Sequence, residues 1–273
     1  MHAWTTAKNE RGLSVGFVPT MGALHRGHTA LIDESIRMND STVLSIFVNP
    51  TQFNVSSDFD NYPRSDEADL ALAEQHKVSC VYLPSREVMY PSHSSVVVEP
   101  GTASYPMEGV MRPGHFRGVT TVVTKLLNAV APHRAYFGKK DYQQLAVLRQ
   151  MISDLDFMVE IIGLETVREH DGLALSSRNV RLLPDHRAAA TSISRGLFRA
   201  VDEHKAGRCS ASDLSHIVRR EIEASGATRI DYVTVCHMET LQELATTQDG
   251  AVICVAAWYG DVRLIDNVEL TQL

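Results

Sequence analysis

The sequence predicts an α/β protein in which a parallel sheet carries helices on both faces and a smaller C-terminal α+β domain follows. Three observations predict it. Short apolar runs alternate with stretches of helical periodicity through residues 1–166, the pattern of βαβ units. The connection between the first apolar run and its helix is a turn holding two glycines and two histidines. From about Val167 the texture changes to a polar loop, helical stretches and then strand-like runs.

The elements follow in order. Leu13 to Val18 reads as a buried strand, and Leu31, Ile32, Ser35 and Ile36 continue at helical spacing from about Gly27. Thr42 to Val48 gives a second strand, Ser65 to Gln75 a helix, and Val78 to Leu83 a third strand. A helix across Val119 to Val130, a strand near Arg134 to Phe137, a helix from Asp141 to about Ser153 and a strand at Val159 to Ile162 complete the first domain. The second domain, residues 167–273, has a loop carrying Ser176 to Asn179 and helical stretches around Arg187 to His204 and Ala211 to Glu223. Strands near Ile230 to Val235, Ala251 to Ala257 and Val262 to Ile265 close it. There is no internal repeat and no low-complexity tract.

Ligands of parallel sheets bind beyond the carboxyl ends of the strands. His25, Asn49, Gln52, Gly138 and Lys140 all follow such ends, which predicts one cleft. The run Pro19-Thr20-Met21-Gly22-Ala23-Leu24-His25-Arg26-Gly27-His28 is the most informative part of it. Gly22 and Gly27 allow a tight turn and close approach to a ligand, while the first helical N–H groups have no partner within the helix. Those donors and the positive end of the helix dipole suit an anion. His25 and His28, three apart, then sit at the helix mouth as donors to phosphate. Either histidine can also simply cap the helix. A zinc protease would need H-E-x-x-H, and the Glu is missing here.

Composition narrows the class. The chain has 273 residues, 44% of them hydrophobic, with a net charge of -7. Such a balance argues against a large nucleic-acid surface and hence against transfer RNA as a partner. No apolar run approaches the ~20 residues that span a bilayer, and the N-terminus lacks a signal-like apolar segment, so a cytosolic protein is expected. Cys80, Cys209, Cys236 and Cys254 form no C-x-x-C pair, which disfavours a zinc ribbon or a redox motif and favours reduced thiols.

The His25-Arg26-Gly27-His28 segment resembles the H-x-G-H signature of adenylate-forming and nucleotidyl-transferring α/β enzymes, and the full ten-residue run is similar to that of pantothenate synthetases. Later segments match in family order: Ser45 to Phe53, Tyr62-Pro63-Arg64, Arg112 to Val119, Phe137 to Gln144, Asp171 to Asn179 and Val255 to Asn267. The resemblance implies a large Rossmann-like N-terminal domain and a smaller C-terminal lid hinged near Val167 to Asp171. It also implies a homodimer through the N-terminal domain, and ATP-dependent joining of pantoate to β-alanine through pantoyl adenylate. By the same resemblance, His28 and His25 contact the ATP phosphates at the α-phosphorus, with Lys140 supplying charge. Met21, Gly22, Ala23, Leu24, Arg26 and Gly27 complete the nucleotide turn. Gly138, Lys139 and Asp141 flank Lys140, the backbone near Val167 lies by the adenine, and Leu175 belongs to the ATP site.

Ser176, Ser177 and Arg178 stand where related enzymes often carry K-M-S-K-S, with Arg178 forking onto two phosphate oxygens. The resemblance gives pantoate to Gln52 and Gln144, with Met21 lining its pocket, and makes Gln52 face β-alanine as well. Magnesium is implied by ATP, and Asp69 is its expected ligand, although Ala68 replaces what is commonly a second acid. A second departure is Lys139, where the family usually carries Glu. Three other classes share parts of the pattern: a nucleotidyltransferase that keeps AMP on its product, an aminoacyl-tRNA synthetase, and a non-catalytic nucleotide-binding regulator.

Overall fold

The structure, a computed structural model, describes residues 1–247 and 250–270. Its chain falls into two compact units, Met1–Gly138 with Val147–Glu165, and Lys139–Ala146 with Thr166–Leu273.

The first unit opens with helix α1 (His2–Asn9), then β1 (Val15–Thr20), α2 (Arg26–Met38) and β2 (Ser41–Ile46). Short helices α3 (Ser56–Asp60), α5 (Arg86–Met89) and α6 (Glu108–Met111) punctuate the chain around α4 (Asp66–Gln75) and β3 (Cys80–Tyr82). Helix α7 (His115–Val130) and β4 (Arg134–Gly138) precede α8 (Tyr142–Asp154) and β5 (Glu160–Leu164). The sheet order is β3-β2-β1-β4-β5, and every pair is parallel. β1 and β2 have nearly every residue buried, as expected of a sheet covered by helices. Leu31 and Ile32 of α2 and Ala73 of α4 pack with Val18, Leu44, Ile46 and Tyr136 of the sheet.

Strand order reverses between β1 and β4, the topological switch point at which such sheets bind ligands. Pro19, which has no N–H to donate, lies past the last β1–β4 pair, Phe17 and Ala135. The two strands therefore stop pairing where the histidine turn begins.

The second unit carries α9 (Pro184–Ala190), α10 (Ser192–Lys205), α11 (Ala211–Ala224) and an antiparallel sheet β6 (Arg229–His237), β7 (Ala251–Tyr259), β8 (Val262–Leu270) in that order. Ile193, Leu197 and Ala200 recur along one face of α10, as do Leu214, Val218 and Ile222 along α11. Both stripes share one apolar cluster with Ile253, Val255 and Ala257 of β7.

The predicted fold class is the observed one, with local differences. The strand expected at residues 13–18 runs Val15–Thr20, and helix α1 has no counterpart in the sequence reading because only Thr5 of it is buried. The single helical stretch expected over residues 187–204 is two helices. Thr191 separates them, its hydroxyl drawn back onto the Ala188 carbonyl at 2.8 Å, a bond that competes with the helical ladder.

Candidate active site

The turn after β1 is assembled from its own side chains. Thr20 donates to the Ser45 carbonyl across the strand end at 2.8 Å and accepts from the Gly22 N–H. Gly22 and Ala23 then adopt φ of +81° and +50°. A Cβ on Gly22 would meet Asp69 Oδ2 at 3.0 Å. His25 is the N-cap of α2 in extended backbone. Its Nδ1 accepts from the Gly27 N–H at 3.1 Å, and the His25 N–H donates to His28 Nδ1 at 3.2 Å. This is a capping box built from two imidazoles. The rings lie 4.1 Å apart between centroids. Gly27 is required by the same packing, since a Cβ there would come within 2.8 Å of His25 Cε1.

Two consequences follow. Each Nδ1 accepts a backbone N–H, so each neutral ring carries its proton on Nε2. Each neutral ring thus offers its second nitrogen as a donor. Of the first helical N–H groups, that of Gly27 is taken by His25 Nδ1 and those of His28 and Thr29 by the His25 carbonyl. Of the two roles set out for His25, capping is the one its hydrogen bonds display.

Asp69 corrects a further expectation. Its side chain is buried, Oδ2 accepts the Ala23 N–H and Oδ1 the Leu24 N–H, each at 2.8 Å, and the Ser65 hydroxyl adds a third donor at 3.2 Å. A magnesium ligand needs a carboxylate oxygen turned toward the ion and its waters. Asp69 does not fit that role. Among the described residues no group of three or more His, Cys, Asp or Glu is placed to hold a metal ion.

Gln52 sits in the same unit, in a short 3-10 turn after β2, and is buried. Asn49 Nδ2 donates to Gln52 Oε1 at 2.9 Å and to the Gly118 carbonyl, while Asn49 Oδ1 accepts from the hydroxyls of Thr51 and Tyr90. Because Oε1 is accepting, the Gln52 amide is oriented with Nε2 toward Met21 Sδ, 3.3 Å away. The structure therefore brings together Met21 and Gln52, both expected at the pantoate pocket. The Gln52 carbonyl is held by His115 Nδ1 at 2.8 Å and Arg112 Nη2 at 3.3 Å, with buried Glu108 beside Arg112. Burial pushes the Tyr90 phenol above its usual range, which keeps it a neutral donor to Asn49. Arg112 and His115 were visible only as part of a motif. Arg112 ends α6 and His115 begins α7, a placement that no local periodicity signals.

Gly138 closes β4 in the first unit, and the remaining expected residues belong to the second. Lys139, Lys140 and Asp141 form a 3-10 turn directly after Gly138. Asn267 Nδ2 clamps it by donating to the Lys139 and Lys140 carbonyls at 2.8 and 2.9 Å. Lys139 Nζ reaches Glu269 Oε2 at 2.9 Å, and Lys140 Nζ lies 3.7 Å from Asp141. Lys139 is thus engaged with an acid of β8 in this structure. Gln144 lies in the first turn of α8, half-buried.

Val167 and Leu175 pair through the Leu175 N–H at 3.0 Å, and Glu169 pairs with Leu173, making a small hairpin that turns at Gly172 with φ of +91°. Arg187 pins it by bridging Glu169 at 2.9 Å and Asp171 at 2.8 Å, while Asn179 Nδ2 donates to Glu169 and to the Ala174 carbonyl. The hydrogen bond from Arg187 holds the Asp171 carboxyl below its ordinary range. Ser176 Oγ accepts from the Arg178 N–H at 3.2 Å, so Ser176, Ser177 and Arg178 follow directly from this pinned hairpin.

Among the described residues, no helix is long and apolar enough to cross a membrane. The chain resembles solved structures throughout its length. It matches a pantothenate synthetase from Thermus thermophilus with a TM-score of 0.91 and 45% identity, covering 94% of each chain. It also matches a pantoate-beta-alanine ligase from Francisella tularensis, solved with beta-gamma ATP and beta-alanine, with a TM-score of 0.80 and 34% identity, covering 98% of this chain and 94% of that one. A pantothenate synthetase of Moorella thermoacetica is 48% identical over 267 residues, 98% of this chain and 94% of its own length. The family model for pantoate-beta-alanine ligase matches residues 1–269, and the chain belongs to that family.

Proposed function

We propose that the two-histidine cap at the mouth of α2 is where this ligase meets the phosphates of ATP. As a member of its family the chain is a pantoate-β-alanine ligase: it joins pantoate to β-alanine with ATP, through pantoyl adenylate, and releases pyrophosphate and AMP. The observation that supports our placement is the reciprocal His25–His28 capping box beyond the carboxyl end of β1, which puts the proton of each neutral ring on Nε2.

A pantoate carboxylate oxygen attacks the α-phosphorus, and the bond to the β-phosphate oxygen breaks. His25 and His28 stabilise the charge that develops there, and His28 donates a proton toward the departing pyrophosphate. Lys140 and Arg178 balance phosphate charge, helped by the hydroxyls of Ser176 and Ser177. Gln52 and Gln144 hold pantoate through its hydroxyls and carboxylate, beside Met21. The β-alanine amine, near Gln52, then attacks the acyl carbon and expels AMP. No protein nucleophile is required, so the work is positioning and electrostatics. Gly138, Lys139, Asp141, Val167 and Leu175 frame the nucleotide. Magnesium arrives with the ATP phosphates as part of the substrate, which calls for no acidic cluster on the protein. The reading also carries a cytosolic location, a homodimer and small-molecule partners only.

The test is pantoate-dependent exchange of labelled pyrophosphate into ATP without β-alanine, followed by addition of β-alanine. Exchange followed by AMP and pantothenate is expected. ATP binding with no exchange would overturn the adenylation role given to the histidine turn.

A further inference from the structure

We propose that Asp69 is a positioning residue for the reaction, one whose carboxylate sets the conformation of the histidine turn. It rests on the reading of that turn as the ATP site. The backbone is left-handed at two successive residues, Gly22 and Ala23. Glycine adopts this conformation without strain, whereas alanine resists it because its Cβ crowds the backbone. Ala23 is held there because its N–H and that of Leu24 each meet one oxygen of the same buried carboxylate at 2.8 Å. Two adjacent N–H groups converging on one anion form a nest, here occupied by a side chain of α4. Ser65, the N-cap of α4, orients Asp69 by donating to Oδ1. His25 follows directly, so the direction in which its ring enters the cap depends on how residues 22–24 are held.

The assignment separates Asp69 from metal binding. Each oxygen accepts a backbone donor, and the side chain is buried. Loss of this carboxylate should leave the response to magnesium alone and loosen the turn.

The experiment uses the full-length protein and the Asp69→Asn substitution, which keeps size and one acceptor oxygen. Hydrogen exchange should quicken by about tenfold at whichever of the Ala23 and Leu24 amides loses its acceptor oxygen, the equivalent of one lost hydrogen bond. The rate of pyrophosphate exchange should fall by about a hundredfold, the scale of a small misplacement of catalytic groups. The magnesium concentration giving half-maximal rate should stay unchanged. Adding Ala23→Gly to this variant should return part of the rate, because glycine keeps a positive φ without the carboxylate. A raised magnesium requirement, unchanged exchange at the two amides, or no recovery in the double variant would overturn the assignment. Should Asp69→Asn fail to fold, Ser65→Ala leaves the carboxylate in place and should quicken exchange at Leu24 to a smaller degree; an unchanged amide would overturn it equally. If the unmodified protein showed no pyrophosphate exchange, the ATP reading would fall, while the amide measurement would still decide what Asp69 does to the turn.

Discussion

His25 shows how one side chain can be required for folding and for chemistry at once, and how the two can be separated. Its Nδ1 caps α2 by accepting from Gly27, and its backbone N–H is in turn received by His28. Asparagine is among the best residues at an N-cap, and its carbonyl oxygen can take the Gly27 N–H as Nδ1 does. We therefore expect His25→Asn to keep thermal stability within about 0.5 kcal/mol of the parent protein, because the cap survives. Adenylation should nonetheless drop by about 10²–10⁴-fold, because asparagine cannot stand in for an imidazole beside the α-phosphorus. Melting curves and pyrophosphate exchange read the two effects separately. Equal stability with equal activity would show that the ring serves only as a cap. The H-x-G-H spacing made both histidines visible in the sequence, yet it could not show that each holds the other's backbone, since that depends on the extended backbone of His25.

Elements make the next scale, and here two long-range contacts decide the behaviour of short segments. The 3-10 turn at Lys139–Asp141 is tied to β8 by Asn267 and by the Lys139–Glu269 ion pair, whose side chains are 19% and 20% exposed. Partial burial places this pair between weak surface bridges and costly buried ones, so Lys139→Glu, which sets two acids face to face, should cost about 1–3 kcal/mol. The exchanged pair Lys139→Glu with Glu269→Lys should regain most of it, as urea melts would show. The hairpin before Ser176 behaves similarly. Arg187 lowers the Asp171 pKa from 3.8 in the folded state, so the pairing stabilises fully above that value and is lost as pH falls through the lower folded pKa. The stability gap between the native protein and Arg187→Gln should accordingly be widest near neutrality and narrow below pH 3.8. Local sequence could not disclose either tie, because Glu269 stands 130 residues from Lys139 and Arg187 reads as one more charge on a helix.

At the scale of the whole molecule, what was legible followed from periodicity. β7 is an unbroken apolar run, expected from Ala251 to Ala257 and observed two residues longer, and the stripes of α10 and α11 join its side chains in one apolar cluster. The boundaries that were missed, such as the break at Thr191, depend on a side chain turning back on its own backbone, which leaves no periodic trace. Each unit carries an apolar cluster of its own, one around Val18, Leu31 and Leu44, the other around Leu197, Leu214 and Val255. The residues proposed to meet ATP are divided between the units: the turn at 21–28 in one, Lys140 and residues 176–178 in the other. Ligand binding should therefore report from both. With ATP and pantoate present, amide exchange should slow in residues 21–28 and also in residues 176–179. Arg178→Ala should keep the first effect and lose the second, with adenylation falling far more than pantoate affinity, because a forked cation on phosphate stabilises developing charge rather than the bound acid. Protection at 21–28 alone in the unmodified protein, or an adenylation rate unchanged by Arg178→Ala, would remove residues 176–178 from the phosphate site.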